Sequence, residues 1–157
     1  MRIEGDYTFH APRPVVYELL QDPDVLERAM PGATTLTQVS DDVYEAQVDV
    51  KVGSIGGSYS GTVEVRDKRY PEHFVLLVEG QGATGFLKGE GTIDLEEVEE
   101  GTLIRYAGRT QVGGRIAQVG QRMVQAVARK LIGQGLQSLE EQLQERQEGG
   151  NREIEVE

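Results

Sequence analysis

The sequence predicts an α+β chain in which a strongly curved antiparallel sheet folds around one long C-terminal helix, with two short helices after the first strand. Three observations predict it. From Ala33 to Val112 apolar and polar residues alternate at the period of two that marks half-buried strands. After Gly113-Gly114 the period becomes helical, and a stripe of Ile116, Val119, Met123, Val127, Leu131, Gly135, Leu139 and Leu143 continues for about 30 residues, roughly 45 Å. The links between strands are short, which implies antiparallel neighbours, and a single long stripe meets a single apolar sheet face most simply if the sheet curls around it.

Residues 2–10 alternate with Ile3, Gly5, Tyr7 and Phe9 on one face. Residues 11–20 then carry prolines suited to a helix start and apolar Val15, Val16, Leu19 and Leu20, and residues 22–30 repeat the idea with Asp22 as a cap before Pro23. In 43–52 Tyr44, Ala46, Val48, Val50 and Val52 share one phase against Glu45, Gln47, Asp49 and Lys51. Further strands are expected at 57–69, 73–82, 86–97 and 102–111, divided by the turn-like Arg69-Tyr70-Pro71-Glu72, Ala83-Thr84-Gly85 and Val98-Glu99-Glu100-Gly101. Residues 1–147 form a single domain in this reading, and the polar residues 148–157 a flexible acidic tail.

Composition removes several function classes. The 157 residues hold no cysteine, so disulfides, thiolate nucleophiles and thiolate metal sites are excluded. A net charge of -11 argues against nucleic acid as a partner. No signal peptide or membrane span is legible, which suggests a cytoplasmic address. Charge is nevertheless uneven: between Gly101 and Leu139 there is no Asp or Glu, while Arg115, Arg122 and Arg129 recur every seven residues beside Lys130. On one helix they would form a cationic stripe, either an ordinary solvated face or a surface for an acidic partner or anionic headgroups.

The stretch Gly80-Gln81-Gly82-Ala83-Thr84-Gly85 spells the G-x-G-x-x-G of dinucleotide-binding loops, but that fingerprint needs a following helix and here a strand follows. Gly61, Gly80, Gly82, Gly89, Gly91 and Gly108 all fall in the inward phase of their strands. Either they bend the sheet and let neighbours approach closely, or they leave a hollow where a ligand sits. Inward polar groups are Tyr7, Tyr44, Tyr59, Tyr106 and Thr110, core residues by default but able to hold a carbonyl oxygen. With Ile116 and Met123 from the helix, these tyrosines and glycines are the candidate cavity residues. His10 and His73 read as solvated, Glu96, Glu97, Glu99 and Glu100 as a solvated hairpin tip, and no catalytic set or metal site is found.

Met30-Pro31-Gly32, the glycine-rich 52–63 stretch, Gly80–Gly85 and above all Gly113-Gly-Arg-Ile-Ala-Gln-Val-Gly-Gln-Arg122 together resemble the CoxG family, the G-subunit family of carbon monoxide dehydrogenase, within the START-like, helix-grip superfamily. The resemblance spans residues 1 to about 145. It implies a helix-grip fold with a cavity between helix and sheet, no catalytic apparatus or intrinsic cofactor, and a bound apolar molecule such as a quinone or lipid. It further implies an accessory role to a molybdenum hydroxylase of the carbon monoxide dehydrogenase type, at the inner face of the cytoplasmic membrane. Relatives often end in an apolar anchor, where this chain has its acidic residues. The alternatives are a docking module without a functional ligand and a cyclase- or hydrolase-type enzyme.

Overall fold

A computed structural model describes residues 1–30, 32–51 and 56–156, with the side chains of 33, 34 and 148–156 left undescribed. Pro31 and residues 52–55, parts of two motifs quoted above, lie outside the described residues, as does Glu157.

The chain runs β1 (Arg2–Phe9), α1 (Arg13–Leu19), α2 (Pro23–Ala29), β2 (Ala33–Ser40), β3 (Val43–Val50), β4 (Gly57–Arg69), β5 (His73–Gly82), β6 (Gly85–Val98), β7 (Gly101–Gly113), α3 (Arg115–Gln118) and α4 (Gln121–Val156). Strands β2 to β7 form a meander, and β1 closes its far side against β7, giving the order β1-β7-β6-β5-β4-β3-β2 with antiparallel pairing throughout. The two short helices carry the chain from one sheet edge to the other. Asp22 caps α2 as its sequence suggests, accepting from the amides of Asp24 at 3.0 Å and Val25 at 3.4 Å, with Pro23 in the first turn. In α1 the buried face is Val16, Tyr17 and Leu19, while Val15 points to solvent.

Strand register bears out the inward phase. Tyr44 faces Val63, Gly61 faces Gly80, Leu76 faces Gly91, and Gly91 faces Gly108. Those positions share the concave side with the buried Phe9, Val65, Phe74, Leu95 and Ile104.

The helical stripe is not continuous. Gly120 adopts a left-handed conformation (φ 94°) that separates α3 from α4, a common way for a helix to end. Beyond it the stripe serves two apolar clusters. Leu136, Leu139 and Leu143 join the main core with α1, α2, Phe9 and Phe74, whereas Val124, Val127 and Leu131 face a second cluster with Ile116, Val50, Tyr59 and Val112. Helical backbone also continues past residue 147, through Val156, where the sequence suggests a frayed tail. Gly149 and Gly150 each weaken a helix by about 1 kcal/mol, but no proline there removes a backbone donor.

Candidate functional site: the cavity under α4

The second cluster does not close. Between the concave side of β3–β7 and the first half of α4 lies a cavity of about 270 Å³. Its floor is Val48, Val63, Val78, Leu87 and their strand neighbours; its roof is Ile116 of α3 with Val124, Val127, Ala128 and Leu131 of α4, and Met30 borders one side. The separation into two clusters positions it. The second half of α4 is held close by α2 and β1, while the first half lies over strands whose inward positions are partly glycine.

Of the twelve residues expected there, Tyr59, Gly61, Gly80 and Ile116 line the cavity. The others share the phase but not the depth. Tyr7 and Tyr44 belong to the main core: Tyr7 lies 4.8 Å from Phe9 between ring centres, and the Tyr44 hydroxyl donates to the carbonyl of Gln21 at 2.7 Å. Burial first, then Glu140 and Glu141, raises the pKa of Tyr7; burial also raises that of Tyr44, against an opposing pull from Lys68. Tyr106 covers Gly5, its hydroxyl occupying the space a Gly5 side chain would need. Met123, in the first turn of α4, is half exposed and lies outside the lining.

The glycines divide between the two readings. A Cβ on Gly61 would fall 2.5 Å from the carbonyl oxygen of Glu79, on Gly108 2.9 Å from that of Glu90, and on Gly91 3.3 Å from that of Ala107. One on Gly82 would meet the Tyr59 ring at 2.9 Å and one on Gly89 the Thr110 methyl at 2.8 Å. These five permit close approach. Gly80 differs: its nearest neighbour would be the Ser60 carbonyl oxygen at 3.9 Å, so its missing side chain leaves space. The lining residues that sequence reasoning passed over, such as Val63, Val78 and Val124, carry the same phase signal; only their depth along each element was illegible.

The titratable residues correct one expectation. His73 is buried, its Nδ1 lying 2.7 Å from Asp94 and its Nε2 3.4 Å from Asp67, beside a bulge in β4, and its backbone carbonyl accepts from Tyr17. His10 keeps an exposed ring but binds the buried Glu140, which also accepts from the His10 amide at 3.3 Å. Neither cluster borders the cavity. Among the described residues no group of three His, Asp or Glu side chains is placed to hold a metal ion.

Arg115, Arg122, Arg129 and Lys130 are all exposed, and among the described residues none has a carboxylate within salt-bridge reach. The break at Gly120 places Arg115 on α3, so the seven-residue stripe survives only for Arg122 and Arg129. No helix of the described residues is long and apolar enough to cross a membrane.

The model of the CoxG family, described as the G subunit of carbon monoxide dehydrogenase, matches residues 5–144. The chain belongs to the CoxG family. Among solved structures, a conserved protein from Geobacillus kaustophilus is 30% identical, with a TM-score of 0.89 over 92% of this chain and 96% of that one. A START superfamily protein from Mycobacterium smegmatis is similar in fold, at 13% identity and a TM-score of 0.73 over 92% and 97% of the two chains. Protein Ms6760 from the same organism is 16% identical, with a TM-score of 0.70 over 92% of each chain. No curated protein matches the chain in sequence. This member of the CoxG family thus has the START-like fold, with its cavity between the long helix and the sheet.

Proposed function

We propose that this chain is a non-enzymatic binding protein that holds an apolar, quinone- or lipid-like molecule between α4 and the sheet. In this reading it serves a molybdenum hydroxylase of the carbon monoxide dehydrogenase type at the cytoplasmic membrane face. The cavity carries the reading: about 270 Å³, walled by valine, leucine and isoleucine side chains, and bordered by a glycine that leaves it open. An apolar cavity of about 150 Å³ takes up benzene, so this one has room for a two-ring molecule or a chain of about ten carbons. CoxG membership supports the accessory role and the partner.

Native mass spectrometry and solvent extraction of the purified protein test it. A bound apolar molecule is the expected result. A protein that is consistently empty, and takes up no member of a panel of quinones and lipids, refutes it.

A second reading, docking to an acidic partner or an anionic membrane, is favoured by the exposed cations Arg115, Arg122, Arg129 and Lys130. It is compatible with the first, because α4 carries cavity wall on one side and cations on the other.

A further inference from the structure

We infer that residues 121–132 of α4 are a gate over the cavity, swinging on Gly120 at one end and on Gly133 at the other, through which an apolar molecule enters and leaves. The inference rests on the binding-protein reading and adds the route by which that site is filled.

The walls of the cavity differ in how firmly they are held. Its floor belongs to strands β3 to β7, each paired with a neighbour on both sides, so parting it would break ladder hydrogen bonds. The second half of α4 is also fixed. Leu139 and Leu143 are buried in the main core, Gln142 donates to the carbonyl of Val25 at 3.2 Å, Arg146 reaches Asp22 at 3.4 Å, and Glu140 and Gln147 both bind His10. The roof is held less. Between 121 and 132 only Val127 is buried, and the segment is tied to the sheet by Gln125, whose side chain donates to the Arg2 carbonyl at 3.0 Å.

Glycines bound this segment. Gly120, at φ 94°, breaks the helix before it, and the amide of Val124 closes the first turn onto the Gly120 carbonyl at 3.2 Å. Gly133 lies in the helix interior, where glycine is the poorest former after proline. A Cβ there would meet nothing within 4 Å beyond its own helix backbone, so close packing does not explain the residue. What it supplies is backbone freedom at the end of the roof. Gly135 lies against α2, where a Cβ would stand 3.7 Å from the Ala29 carbonyl oxygen, and marks the start of the held half. Lifting the roof bares Val124, Val127 and Leu131 to water, so the closed form predominates and opening is transient.

Gly133→Ala stiffens the helix without touching the lining, which leaves the closed cavity as it is and makes opening rarer. Stopped-flow uptake and release of N-phenyl-1-naphthylamine, a neutral apolar fluorophore, should both slow by about fivefold, the factor given by the alanine–glycine difference in helix propensity, with Kd unchanged. Gln125→Ala frees the segment and should speed both rates by roughly fivefold, the worth of one hydrogen bond. In the protein without ligand, amides of 122–132 should exchange with deuterium faster than those of 136–143, and slow in Gly133→Ala. A first half as well protected as the second, rates that either substitution leaves unmoved, or a Kd that shifts because one rate alone changes overturns the gate while leaving a binding cavity. A probe that does not bind the wild type overturns the binding reading, and the gate with it.

Discussion

Replacing Gly80 by leucine discriminates most sharply between an open cavity and a packed interior. Nothing lies within 3.9 Å of the added Cβ, and the position faces the cavity, so the side chain has somewhere to go. Four added carbons displace roughly 100 Å³ of the cavity, and at about 24 cal/mol per Å³ filling it stabilises the protein by about 2 kcal/mol. For a chain of this size that is a Tm rise of about 4–8 °C. Ligand retention in native mass spectrometry should fall at the same time, since the occupied volume is the ligand's. The paired position supplies the contrast: Gly61→Leu puts a Cβ 2.5 Å from the Glu79 backbone oxygen and should cost about 1–3 kcal/mol. A Gly80→Leu protein that is destabilised as much as Gly61→Leu, and still carries its ligand, would show that the space is not a usable cavity.

Reversing Arg115, Arg122 and Arg129 to Glu should abolish flotation with vesicles containing anionic lipid, or capture of an acidic partner, with ligand affinity unchanged; each cation near such a surface contributes about 1 kcal/mol. If both forms of binding survive, the face is merely solvated. Alkaline stability should reflect Tyr7 and Tyr44. Their folded pKa values are raised, chiefly by burial, so the neutral phenols stabilise the fold fully below the unfolded value near 10 and lose that contribution as pH rises through the folded values. Denaturant midpoints should therefore fall above about pH 10, and Tyr44→Phe should flatten the fall. An unchanged slope in Tyr44→Phe contradicts the assignment.

Much of this architecture can be read locally, because strand and helix periods are properties of the backbone. The alternation in 43–50, the switch after Gly113-Gly114, the cap at Asp22 and the turns at 70–72, 83–84 and 99–100 all place elements where the structure has them. The inward side of each strand follows too, since a period of two leaves two choices. Depth was not legible. Gly80 and Gly82 share a strand and a phase, yet Tyr59 covers Gly82 while Gly80 opens on the cavity. Nor was the setting of His73, buried at the start of β5 and paired with Asp67 of β4 and Asp94 of β6, because those partners come from neighbouring strands. Residue order alone therefore sets the succession of elements and the face each turns inward. Which inward positions meet a neighbour and which meet space is a property of the assembled fold, because it depends on how far the sheet coils and where α4 crosses it.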